Sequence, residues 1–294
     1  MTNVYPSPSA PGLAFEEALR QGQIRATRSR QQRHRASVFI WQAVFLVAFF
    51  TAWALASGRI VDRLFVSDPA SVGAALYRLL ITGDLWYHLR FTLIEALGGY
   101  VAGVTFGLGG ALGLSLIPSG EPILRPFIML FYATPKIALA PLIVLWFGLG
   151  TPPKILLAAM FVFLVVFLNT LRGLASVSPG LIAMARVMGA TRSELLLKLA
   201  LPSAMPFIIA ALRITIPAAV IGAVVGEYIS SNRGVGYLIL AASGRYNTAQ
   251  AFGGIVSLLL VVSAMNIAVS SLERSWLRWA PPPPSFASGR RAAR

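Results

Sequence analysis

The chain has no cysteine. Disulfides, thiolate metal centres and cysteine nucleophiles are therefore excluded. Histidine is nearly missing too. His34 lies in a basic tail and His88 in a loop, and neither has a ligand partner at helical spacing, which argues against a histidine metal site. Acid is scarce, with 10 Asp and Glu against 25 Lys and Arg and a formal charge of +15. A surplus of that size can mark nucleic-acid binding. Here arginine gathers at both termini beside apolar runs, as topology signals do, and no basic-aromatic stripe accompanies it. No G-x-x-x-x-G-K-[ST] loop is present to cradle phosphates, so the chain cannot hydrolyse ATP itself. Gly107, Gly109 and Gly110 lie inside an apolar run, where helix packing accounts for them. The apolar runs hold no nucleophile-base pair and no metal cluster. No catalytic residue, metal ligand or bound cofactor is expected, and an intramembrane enzyme is disfavoured.

What is abundant is apolar surface. The composition is 56% hydrophobic and the mean hydropathy is +0.73, values of an integral membrane protein. Residues 1–37 read as a basic cytoplasmic tail with Arg20, Arg25, Arg28, Arg30, Arg33 and Arg35, and Glu16 and Glu17 could open a short amphipathic helix there. Residues 38–57 form a first span, with Trp41 and Trp53 suited to its interfaces. Ala54-Leu55-Ala56 mimics a signal-peptidase site, but the long arginine-rich stretch before it favours an uncleaved anchor. Ser71–Leu80 suits a surface helix. Further spans are expected over 92–117, 124–147, 154–171, 204–229 and 251–272, the third broken by Pro135 and Pro141 and the fifth containing Pro217. Gly99, Gly103 and Gly107 recur every four residues, so they share one helix face and permit close contact. An outer loop begins at Ser231-Asn232-Arg233-Gly234-Val235-Gly236, and 280–294 is a Pro/Arg-rich tail, extended in character.

The expected fold is an all-α polytopic membrane protein of six transmembrane helices, with one polar-studded break between the fourth and fifth spans. In SPGLIAMARVMGATRSELLLKLALPSAMP, residues 178–206, Ser178-Pro179 reads as an N-cap followed by proline at the first helical position. Gly189 closes that helix in a left-handed conformation. Thr191-x-x-Glu194 is a capping box opening a second short helix, which Pro202 is expected to stop. Such a surface between spans offers a soluble partner a grip. The amino-terminal tail, this loop with its flank (Arg172, Arg186, Arg192, Lys198) and the carboxyl tail (Arg274, Arg278, Arg290, Arg291, Arg294) are the basic segments. Six spans put all three on one side, which the positive-inside rule makes cytoplasmic.

The loop resembles that of binding-protein-dependent ABC importer permeases, whose pattern is EAA, three residues, Gly, nine residues, Ile, any residue, Leu-Pro. Gly189 fits, nine residues follow, and Leu199-Ala200-Leu201-Pro202 completes the pattern with Leu for Ile. Ala183, Met184 and Ala185 stand where Glu-Ala-Ala is expected, so the acid is missing. Further stretches similar to the nitrate/sulfonate/taurine-type branch are Pro135–Leu142, Trp146–Gly150, Gly226-Glu227 and Gly234–Ile239. Thr92–Glu95 and Ile221–Glu227 are similar to members for thiamine-pyrimidine precursors or riboflavin.

The resemblance covers about Thr92 to Trp279 and implies a permease domain over 88–273. It implies a translocation path shared by two permease subunits, a homodimer in the simplest case. A cytoplasmic ATPase dimer docks on Ala183, Ala185, Gly189, Thr191, Glu194, Leu199, Leu201 and Pro202. A periplasmic or lipid-anchored solute-binding protein brings a small organic solute to the 230–250 loop of this inner-membrane subunit, and ATP is used by the partner. The rival reading is a gradient-driven secondary transporter, which has no use for a docking loop.

Four charges fall in or beside apolar segments: Glu95, Lys136, Arg213 and Glu227. Each should face protein or a water-lined path, given the cost of charge in hydrocarbon. Lys136, between two prolines, either lines the path or pairs with Glu95 or Glu227. Arg213 can snorkel or pair, and Glu227, near the outer end, is as readily explained by solvation. Phe161, Phe163 and Phe167 read as packing residues.

Overall fold

A computed structural model describes residues 36–276. The expectations for the terminal arginine tails and for a helix at Glu16-Glu17 fall outside these residues. The described chain divides into two units, 36–69 and 70–276. In the first, α1 (Ala36–Ala56) is a single apolar helix of 21 residues. It is followed by turns pinned to its end: the Trp53 indole donates to the Ser67 carbonyl at 2.7 Å, and the Ser57 hydroxyl to the Val66 carbonyl at 2.8 Å.

The second unit is all helical. It comprises α2 (Pro69–Ile81), α3 (Asp84–Leu116), α4 (Gly120–Ala133), α5 (Ala140–Phe147), α6 (Pro152–Leu174), α7 (Pro179–Val187), α8 (Arg192–Glu194), α9 (Leu201–Ser230), α10 (Val235–Gly244) and α11 (Thr248–Trp276). Five helical stretches in the two units are long and apolar enough to cross a bilayer, and the bent α4–α5 pair makes a sixth when taken as one broken span. The break sits at Pro135. A 3₁₀ turn over Lys136–Leu139 follows, and the two halves meet at 78°. Pro141 does no damage, because it occupies the first turn of α5, where its missing N–H would have no partner.

The core is built on α6, with α3 along one side and α9 along another. Lipid is as apolar as leucine, so close backbone packing has to supply the attraction between spans. The glycine face of α3 provides it. A Cβ at Gly103 would stand 2.6 Å from the Val162 Cβ, and one at Gly107 2.9 Å from the Phe163 carbonyl. A Cβ at Gly99 would overlap that of Ala158, and one at Gly222 on α9 would come within 2.6 Å of the Ala158 Cα. Ala158 is therefore pinched between two helices at one level.

Two expectations change. Pro202 does not stop a helix. Arg192–Ser230 runs as one helical stretch of 39 residues, with a π turn over Leu195–Ala200 just before the proline. Widening that turn shifts the hydrogen-bond register where proline lacks an N–H and its ring would press on the preceding turn. The segment after Ser231 is also not simply a loop. Gly234, at φ 103°, opens α10, whose Val235, Leu238, Ile239 and Ala242 are buried.

Candidate functional site

The first candidate region is the elbow between α6 and α9. Ser178 caps α7, its hydroxyl accepting from the Leu181 N–H, with Pro179 next in the first turn. Gly189 adopts φ 84°, the left-handed conformation that reverses the chain. Thr191 and Glu194 form a reciprocal capping box: the Glu194 N–H donates to the Thr191 hydroxyl at 3.3 Å, and the Thr191 N–H donates to Glu194 Oε2 at 3.0 Å. Lys198 joins one turn on, 2.9 Å from Glu194 Oε1. A 39-residue helix is about 58 Å long at 1.5 Å per residue, twice the hydrocarbon thickness, so its charged first turns project beyond the membrane. Lys198 and the two Thr191 donors hold the Glu194 carboxyl down at about 2.

Within this elbow Leu181, Met184, Met188, Leu195 and Leu199 line a groove of about 510 Å³, with Ala185, Gly189 and Glu194 at its sides. Val187 and Met188 are 90% and 78% exposed. Ala183 is exposed where the family pattern has an acid, while Leu199 and Leu201 are half-buried and Pro202 is exposed. The only acid of the elbow is Glu194, spent on its own cap.

The second region is a buried charge cluster at the other end of α6 and α9. Lys154 Nζ lies 3.1 Å from Glu95 Oε1 and donates to the Ser231 hydroxyl at 2.7 Å. Glu227 Oε1 accepts from the Thr92 hydroxyl at 2.6 Å, and Oε2 accepts from the Gly236 N–H at 2.5 Å. The Thr92 oxygen accepts in turn from the Val235 N–H at 2.8 Å. Glu95, Glu227 and Thr92 are fully buried and Lys154 is 1% exposed. A Cβ at Gly234 would overlap the Glu227 carboxylate, so the turn must be glycine for Glu227 to fit.

Of the four charges singled out in the sequence, the structure brings Glu95 and Glu227 together and leaves Lys136 and Arg213 elsewhere. The basic partner of Glu95 is Lys154, not Lys136. Lys136 is half-buried, its ammonium 5.7 Å from the Tyr132 ring centre. Arg213 is on the exposed face of α9. Solvation does not account for Glu227, which water does not reach. Lys154 escaped notice because it follows Pro152-Pro153 at the start of a span, where a lysine normally reaches the interface. Its signal is visible only afterwards: a lone lysine in a first turn, opposite a span that carries Glu95.

Residues 103–276 match the family of binding-protein-dependent transport system inner membrane components. The riboflavin transport system permease protein RibX of Chloroflexus aurantiacus is 34% identical over 236 residues, 80% of this chain and 87% of that protein. The putative aliphatic sulfonates transport permease protein SsuC of Escherichia coli is 33% identical over 237 residues, 80% of this chain and 90% of that one. The chain belongs to the binding-protein-dependent transport permeases. A solved structure of the MetNI methionine ABC transporter, in an inward-facing conformation, shares the fold at a TM-score of 0.54 and 22% identity, covering 67% of this chain and 95% of that one.

The permease is thus a multi-pass inner-membrane subunit of a binding-protein-dependent ABC transport system. It is not an enzyme. ATP is hydrolysed by a separate ATPase, and a solute-binding protein delivers the cargo.

Proposed function

We propose that the 178–202 elbow is the permease's docking site for its ATPase, and that it faces the cytoplasm with both termini. One observation carries this reading: two capped helices meet at a left-handed glycine and present an uncovered apolar groove at the end of two membrane spans. Capping matters because a helix end that frays cannot transmit a displacement. Closure of an ATPase pair would draw two such elbows together and turn the spans outward, and hydrolysis would reset them. The simplest assembly pairs two copies of this chain, each holding one ATPase subunit. The permease itself binds no cofactor, and ATP stays with the partner.

The relatives support a cargo that is an aliphatic sulfonate or taurine-like anion, or a heteroaromatic of the riboflavin or thiamine-pyrimidine type. Lys136, on the break between α4 and α5, is the residue proposed to meet it. Carbonyls freed by a broken span are tolerated only against protein or water. In Lys136→Met, lost uptake with intact assembly supports this role, and unchanged uptake removes it.

The docking assignment is tested by co-purification. Gly189→Pro cannot adopt φ 84°, so it should abolish recovery of the ATPase with the permease while the membrane region stays folded. Equal recovery of the ATPase with this variant would overturn the assignment. Uptake by the permease alone in vesicles with an ion gradient, and no ATPase, would overturn the mechanism.

A further inference from the structure

The Glu95–Lys154–Glu227 cluster plays no part in the docking elbow, and one of its atoms is unaccounted for. Glu95 Oε2 is buried and has no hydrogen-bond donor. Orphaned buried carboxylate oxygens are costly, so each calls for an explanation. The neighbour within hydrogen-bonding reach of Glu95, besides Lys154, is the carboxyl of Glu227. Two ionised carboxylates have no hydrogen to share, because both are acceptors only. At hydrogen-bonding distance inside a dry protein they also repel strongly.

We propose that the cluster is a proton-binding site: Glu227 carries a proton at neutral pH and donates it to Glu95 Oε2, while Glu95 stays ionised against Lys154. The orphaned oxygen then has its donor. Glu227 keeps both contacts it accepts, from Thr92 and Gly236, and the buried charges sum to zero with one carboxylate and one ammonium. Every group facing the pair fits this account. Lys154 from α6 is committed to Glu95 and Ser231. Arg233, on the segment after α9, is half-exposed and stacks 4.2 Å over Phe91, so water screens its charge. His88 of α3 accepts the Gly234 N–H at its Nδ1, which keeps that nitrogen free of a proton. Tyr228 neighbours Glu227 on α9 and is partly exposed. Among the described residues no three metal-ligating side chains gather to hold a metal ion.

The proton is structural. Thr92, Glu95, Glu227, Gly234 and Gly236 are all buried, so the proton is held within the packed protein. It locks the outer parts of α3, α6 and α9 to the start of α10. The unfolded chain has already lost this proton at neutral pH, so the folded protein binds one more. Stability therefore falls with rising pH over the range in which the folded site holds a proton that the unfolded chain has lost, and levels off once the folded site releases it.

Glu95→Gln is the decisive variant. Its amide oxygen still accepts from Lys154, and its amide nitrogen takes the proton's place as donor to an ionised Glu227. The test compares the intact transporter complex in lipid nanodiscs, wild type against E95Q, by melting temperature from mildly acidic to mildly alkaline pH. Wild type should lose stability with rising pH, and E95Q should show a flatter profile. Infrared spectra of wild type at neutral pH should contain a protonated-carboxyl C=O band that moves on H/D exchange, disappears in E95Q and persists in the exposed control Glu121→Gln. Absence of that band, equal slopes in the two proteins from mildly acidic to mildly alkaline pH, or a melting temperature that rises with sodium would each overturn the proposal. The wild-type spectrum decides even if E95Q fails to assemble. None of these readouts depends on ATPase docking, so this proposal and the elbow assignment fail separately.

Discussion

Lys154 is the residue on which most depends. It is the basic partner of a buried carboxylate, and removing one member of such a pair leaves a bare charge at a cost of about 3–5 kcal/mol. Lys154→Met should therefore lower the yield and melting temperature of the complex sharply, and adding Glu95→Gln should restore much of the loss, since both charges of the pair are then gone. A thermal-shift double-mutant cycle measures this coupling. Glu95 stands out in the sequence as a charge within a span, but its pairing with Lys154 does not, because the two are 59 residues apart and nothing local encodes their meeting. Lys136 stands out for its prolines, which are local signals, whereas the fold gives Glu95 to Lys154 and sets Lys136 against Tyr132. Gly234 makes the same point, since its positive φ and its closeness to Glu227 are consequences of tertiary structure.

At the scale of elements, the signals that did read correctly are those whose physics is contained in a few residues. Ser178, Gly189, Thr191 and Glu194 cap helices through contacts no more than three residues apart, and all four do so. Gly99, Gly103 and Gly107 also behaved as their spacing suggested. Pro202 did not, because whether proline ends a helix depends on how the previous turn adjusts. The Thr191 cap is worth about 1 kcal/mol by the usual cost of losing a threonine N-cap. Thr191→Val should reduce the coupling of uptake to ATP hydrolysis without preventing insertion, measured as transport per ATP consumed. The box should be indifferent to physiological pH. A carboxyl held at about 2 contributes its stabilisation above the ordinary carboxylate range and loses it only as pH falls towards 2. Any acid sensitivity of coupling between pH 5 and 8 must then arise elsewhere. On α3, Gly103→Leu should force α3 and α6 apart at Val162 and cost about 1–3 kcal/mol, read as lost resistance to heat and protease.

The whole molecule was legible in class before it was legible in detail. Hydropathy placed the spans, and the elbow's spacing placed the family, because both are properties of composition and local order. The assembly scale offers its own check. The chain contains no cysteine, so a single one introduced at Met184 can be labelled without removing any other. Membrane-impermeant reagent should reach it from the cytoplasmic side only, and added ATPase should shield it. Labelling from the opposite side would reverse the proposed topology.

The π turn before Pro202 has a mechanical corollary. Had the helix ended there, the elbow would swing on a free joint and its movement would be absorbed locally. Instead the Thr191 cap and the Glu227 carboxyl sit near opposite ends of one continuous helical stretch that carries Pro206 and Pro217, 36 residues or about 54 Å apart. A tilt imposed at one tip must reappear at the other as torque on the clasp that binds Glu95 to Lys154.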